Sequence, residues 1–191
     1  MYLSIFRTIV GIEYTNETYS WSVKRLDASA IVIDHLLRKY KADQKWTRIA
    51  IEQLSDEDIV WRPTPESNSI ANLVAHISGA LYYWFEVAYF EAPYVDRSNE
   101  FDRGLQMTKT QALELLEKSY ESAIKVLERI EANPEKLLDQ PYRSYPEFNS
   151  AGLNNQSTVL EMLLHQFRHL PSHVGQLCYI VKMRKGQIDW G

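Results

Sequence analysis

The sequence contains one cysteine, Cys178, among 191 residues, which excludes an internal disulfide and any multi-cysteine zinc or iron–sulfur site. Such sparing use of cysteine suits a reducing compartment, so a cytoplasmic location is expected. Neither sign of charge dominates: 21 Lys and Arg stand against 25 Asp and Glu, with the basic residues spread along the chain. A nucleic-acid partner is therefore not expected. No apolar run is long enough to cross a bilayer, so no membrane partner is expected either. There is no internal repeat and no low-complexity tract. The opening MYLSIFRTIVGIEY has a short apolar stretch, but no basic cluster precedes it and no small-residue cleavage site follows. It reads as structure rather than as a signal peptide.

What is present is helical periodicity in a chain of one-domain length, long enough to bury a sizeable core. From about Ala28 to Leu54, residues Ile33, Leu36, Leu37, Tyr40, Trp46 and Ile49 recur at helical spacing. A second helix is predicted after Pro63 and Pro65, capped by Ser67 or Asn68 and stopped by Pro93 near Phe90. A third spans about Thr108 to Glu131 and is the cleanest amphipathic pattern. The fourth starts at Ser157 or Thr158, where Thr158 and Glu161 have capping-box spacing, and ends near Lys185 with Gly186 as C-cap. Long connections cover residues 92–107 and roughly 132–156. The expected fold class is all-α: a four-helix bundle with long crossover loops over residues 28–191. Residues 1–27 are expected to form an N-terminal hairpin or arm, because their apolar and polar residues alternate around Thr15-Asn16-Glu17.

Three of the five histidines, His165, His169 and His173, fall at successive four-residue steps on the fourth helix. A step of four turns the side chain by only about 40°, so the three share one stripe with Glu161, Ser172 and Gln176. Cys178 points to the far side of the helix. Two histidines at i and i+4 can reach one metal ion, and a third ligand must come from elsewhere. His76 is the natural supplier, since it lies mid-helix in the apolar run NLVAHISGALYYW, where Gly79 and Ala80 leave room beside it. Three neutral imidazoles leave coordination positions for water or substrate, the layout of a catalytic site. An i, i+4, i+8 trio spans about 12 Å of helix rise, so one ion can hardly hold all three. Spacing alone does not say which two of the three bind. Pro171 removes one backbone hydrogen bond between His169 and His173, and a modest bend there leaves the pair usable. His35, among Asp34, Arg38 and Lys39, reads as a surface residue.

The string His169-Leu-Pro-Ser-His173-Val-Gly-Gln176 resembles the metal signature of the DinB/YfiT-like superfamily. Asn68-Ser-Ile-Ala-Asn-Leu-Val-Ala-His76-Ile-Ser-Gly, and Ile51-Glu-Gln-Leu-Ser-Asp-Glu leading to Trp61-Arg-Pro, are similar to two further stretches of it. The loop Asp96-Arg97-Ser-Asn-Glu100-Phe101 looks like the branch found in bacilli. The resemblance covers roughly residues 30–186; Pro171 departs from its pattern. It implies a four-helix bundle, often a homodimer, holding a divalent metal, nickel or zinc foremost, through His76, His169 and His173. His165 then matches no ligand position and falls to an outer role, orienting a ligand or a water.

The resemblance implies a metal-dependent enzyme, a hydrolase or a thiol transferase, acting on a small molecule such as a low-molecular-weight thiol. His165 or Glu161 would be the general base; Tyr83, Arg97 and Gln176 would belong to the substrate pocket. The competing expectation is a non-enzymatic, metal-stabilised bundle that binds a small molecule or a protein partner. The enzyme reading predicts open metal positions facing a pocket lined by Tyr82 or Tyr83, Trp84 and His165.

Overall fold

The structure, a computed structural model, describes residues 28–140, 151–154 and 156–191. The N-terminal hairpin or arm expected over residues 1–27 lies outside them. Every regular element among the described residues is helical, as the hydrophobic spacing predicts.

Helix α1, Ala28–Glu52, buries Ile33, Leu36, Leu37, Tyr40, Ala50 and Ile51 on one face. A short helix α2, Asp56–Val60, follows; Ser55 and Asp58 close a capping box at its start. Helix α3 is Ile70–Leu81, and its cap is Ser69 rather than Ser67 or Asn68. Ser69 prevails because Asn72, three residues on, returns the bond: Ser69 Oγ accepts from the Asn72 N–H at 3.2 Å, and Asn72 Oδ1 accepts from the Ser69 N–H at 3.2 Å. The helix then widens into a π segment, Tyr82–Val87, and resumes as α4, Ala88–Phe90. Glu91 ends it in the left-handed region, φ 58°, and Pro93 prevents resumption.

Helix α5, Lys109–Glu131, starts from a Thr108–Gln111 capping box, and α6, Val159–Lys185, from Thr158 and Glu161. Gly186, at φ 80°, terminates α6 at the residue expected. Helices α1 and α3 each pack against both α5 and α6, which closes the four long helices around one core. Their facing side chains, among them Ile33, Leu73, Ile77, Leu127 and Leu163, are fully buried. Each such aliphatic side chain contributes roughly 1.5–3 kcal/mol relative to exposure.

Two features fix how α6 lies against the rest. At its C-terminal end, Arg184 Nε and Lys185 Nζ pair with the carboxylate of Asp58 in α2, at 2.6 and 2.7 Å. Pro171 does not break the helix, which runs continuously from Val159 to Lys185 and carries both histidines on one side.

Candidate metal centre

His76 comes from α3, and His169 and His173 from α6, where the two helices touch. One ring nitrogen of each histidine lies within 4.8 Å of the other two. His76 Nε2 is 3.2 Å from His169 Nε2, and His173 Nε2 is 3.0 Å from the same atom. All three side chains are half-buried.

The outer nitrogens decide what the inner ones present. His76 Nδ1 lies 2.8 Å from Glu100 Oε2. An ionised carboxylate only accepts, so Nδ1 carries the proton and Nε2 of a neutral ring presents a lone pair. His173 Nδ1 similarly donates to Gln176 Oε1 at 3.3 Å, which leaves its Nε2 a lone pair. His169 Nε2 faces both. A single sp² nitrogen carries one proton or one lone pair, so it can satisfy at most one of its two neighbours. A cation among the three nitrogens would satisfy all of them, and an all-imidazole donor set is one that divalent transition-metal ions accept. His169 Nδ1 is buried without a hydrogen-bond partner among the described residues.

Charge on the rings is disfavoured in the same way. Burial first, then the neighbouring His173 and His76, push the His169 pKa down to about 4. Burial and His76 lower that of His173, against a weaker opposing effect of Gln176. Both rings are therefore neutral at pH 7, the form a metal requires.

His165 stacks on His169, with ring centroids 5.9 Å apart and planes 14° apart, and lies 5.2 Å from the Trp84 ring. It is not part of the three-nitrogen cluster, and burial and Arg168 lower its pKa. Glu161 is not brought to the histidines; its carboxylate accepts from the Thr158 N–H at 2.7 Å at the start of α6. Arg97 clamps Glu100 with Nε and Nη2 at 2.5 and 3.0 Å. Tyr83 is only 1% exposed and lies beneath the Arg97 guanidinium, 5.7 Å from ring centre to Cζ. Gln176 is exposed beside His173. His35 is exposed on α1, and Cys178, half-buried, is not part of the three-nitrogen cluster.

A cavity of about 510 Å³ lies against the Arg97–Glu100 pair, between α3, α5 and the 95–105 loop. Its lining takes in Ala75, Ser78, Gly79, Tyr82 and Glu86. Of the aromatic residues expected beside the metal, Tyr82 lines this cavity. Tyr83 and Trp84 pack edge to face in the core, 5.1 Å apart, where their aromatic area is out of water.

The residue that sequence reasoning missed is Glu100. It is 24 positions from His76 and in a loop, so no helical spacing connects them. Only its presence in an acidic-basic loop marked it.

A family model described as "Protein of unknown function (DUF1572)" matches residues 27–190. The chain belongs to this family. The matched DUF1572 span holds all three histidines together with Gly79, Arg97 and Glu100. No curated protein and no solved structure gives a significant match.

Proposed function

We propose that the protein binds one divalent metal ion, zinc or nickel, through His76, His169 and His173, and works as a metal-dependent enzyme on a small molecule. The reaction class is hydrolysis or thiol transfer, with a low-molecular-weight thiol among the substrates. The observation that carries the reading is the convergence of three Nε2 atoms whose proton count cannot satisfy both short contacts. The resemblance of the two histidine strings to the DinB/YfiT-like superfamily supports the same assignment.

When bound, the ion would bring the pKa of a coordinated water or thiol toward neutrality. The chain's own residues do the rest. His76, His169 and His173 would supply three ligands, leaving further positions on the ion for water or substrate. His165, whose pKa burial lowers and which stacks on His169, would accept a proton from an incoming nucleophile. Glu161 already caps α6. Phe101, itself 49% exposed, lies 4.7 Å from the His76 ring. Arg97 has its guanidinium committed to Glu100, so Gln176 is the better-placed polar contact for a substrate near His173.

A non-enzymatic, metal-stabilised bundle is the second reading. On its side is the absence of the three histidines from the lining of the 510 Å³ cavity. Cobalt substitution separates the two. With an open position, the visible spectrum changes on adding azide or a small thiol, and a thiol-transfer screen is then run on the zinc and nickel forms. A spectrum indifferent to every added ligand favours the structural site. Native mass spectrometry showing no ion after incubation with zinc and nickel would refute both.

A further inference from the structure

We propose that Glu100 is the positioning residue of the metal centre, and that residue 79 is glycine because only glycine admits the Glu100 carboxylate to His76. This rests on the metal reading above but goes beyond the three ligands.

The carboxylate is almost wholly buried, with Glu100 8% exposed. Its Oε2 accepts a hydrogen bond from His76 Nδ1–H at 2.8 Å, and Arg97 grips both oxygens. The loop backbone is tied down independently. Asn72, one turn before His76 on α3 and fully buried, donates its side-chain amide to the carbonyls of Glu100 and Asp102, at 3.0 and 2.8 Å. Arg62 donates to the carbonyl of Arg103 at 2.6 Å. The loop therefore arrives at α3 with its path set, and the Glu100 side chain crosses directly over Gly79.

The fit there is close. A Cβ on residue 79 would lie 1.8 Å from Glu100 Oε1, 2.8 Å from its Cδ and 3.2 Å from Arg97 Nε. Real Cβ contacts do not come that near, so an alanine must displace the carboxylate. The oxygen in the way, Oε1, is held by Arg97 Nε, so shifting it disturbs the clamp that keeps Oε2 on His76. Gly79 is in a right-handed helix, so backbone conformation does not call for glycine there; the neighbouring carboxylate does.

Two consequences follow for the site. A carboxylate on Nδ1 holds the His76 ring in the tautomer whose Nε2 faces His169 and His173, and makes that nitrogen a stronger donor to a cation. The Arg97–Glu100 pair also forms a wall shared with the 510 Å³ cavity, so the same two side chains border both spaces.

The test is a cycle of Gly79→Ala, Glu100→Ala and the double variant, with zinc affinity read by chelator competition and folding by thermal unfolding in chelator. Each single change is expected to weaken zinc binding by about 10- to 100-fold. With Glu100 shortened there is nothing left for the new methyl group to displace, so the double variant should bind zinc like Glu100→Ala alone. A G79A variant with wild-type affinity, or a double variant whose loss is the sum of the two, would overturn the proposal. Nitrogen-15 NMR of the wild-type His76 ring tests it without any substitution. Nδ1 should carry a proton in both zinc-free and zinc-loaded protein, and a bare Nδ1 in either state overturns it. Failure of the wild-type protein to bind zinc would remove the metal reading while leaving the Glu100–His76 bond to stand or fall by this measurement.

Discussion

His173 Nε2 stands 3.0 Å from His169 Nε2, one turn back along α6, although Pro171 lies between them. The helix stays continuous through the proline, so the two rings keep the i, i+4 relationship that one metal ion can use. His76→Ala and His169→Ala should each abolish tight zinc binding, and His173→Ala should do nearly the same. His165→Ala should cost at most about 10- to 100-fold, because that ring touches His169 without pointing at the shared centre. Isothermal titration of the four variants checks this. A silent His173→Ala beside a damaging His165→Ala would mean that the ligand pair is His165 and His169.

Metal should also stabilise the fold, since its ligands come from two helices. At zinc 100-fold above the dissociation constant the gain is about 2.7 kcal/mol, which for a domain of this size raises the melting temperature by roughly 5–11 °C. Scanning calorimetry with and without chelator measures it, and His169→Ala should remove the shift.

At the other end of α6, Asp58 gives a pH dependence unrelated to the metal. Burial alone would raise its pKa, but hydrogen bonds from Lys185, Ser55 and Arg184 outweigh it and hold the carboxyl well below the usual carboxylate range. Its folded pKa is thus below the unfolded value of about 3.9. The ionised group stabilises the fold above that value, and the benefit is lost as pH falls below about 4. Asp58→Asn should cost about 2 kcal/mol at pH 7. Urea unfolding should show the difference from wild type shrinking by pH 3; an equal gap at both pH values would contradict it.

Asp43 on α1 has the opposite sign. Burial pushes its pKa up to about 6, against a smaller lowering by Lys39. The folded state therefore holds a proton that the unfolded chain releases near pH 3.9, so stability falls between about pH 4 and 6 and stays lower above. Asp43→Asn should raise the melting temperature at pH 8 and leave it nearly unchanged at pH 4. The Thr47 bond to the Asp43 carbonyl, 2.6 Å, survives the change because it uses the backbone.

The helices and the histidine set were legible in the sequence because both are periodic. Thr108 and Thr158 announce their helices through reciprocal partners three residues on, and His169 and His173 share a face by arithmetic. The start of α3 was blurred because Ser67, Asn68 and Ser69 can all cap, and only the return bond from Asn72 separates them. The π segment was hidden for a related reason: in Tyr82-Tyr83-Trp84-Phe85 every face is aromatic, so one residue more per turn leaves no trace in the pattern. Glu100 was illegible because its position depends on the path of a loop. That path is set by Asn72 and Arg62 through hydrogen bonds to backbone carbonyls, which carry no mark of residue type.

The last prediction is a homodimer formed through α6. Leu164, Phe167, Tyr179 and Met183 are exposed on this helix. With Pro171 and Gly175, also exposed, they follow one another at steps of three or four and so form one stripe. A Cβ on Gly175 would meet nothing within 4 Å, so the middle of the stripe is low and open, as close approach of a second helix requires. A twofold pair sets the same stripe against itself and removes apolar surface from water on both copies. A glutamate placed in that contact costs several kcal/mol, and each 1.4 kcal/mol weakens association tenfold. Light scattering of the wild-type protein should therefore give twice the 22.3 kDa chain mass at micromolar concentration, and Phe167→Glu with Tyr179→Glu should give the single mass with unchanged helix content. Neither side chain belongs to the three-nitrogen cluster, so zinc binding should persist in the monomer. A wild-type protein already monomeric would refute the pairing, and a variant that stays dimeric would move the interface off α6.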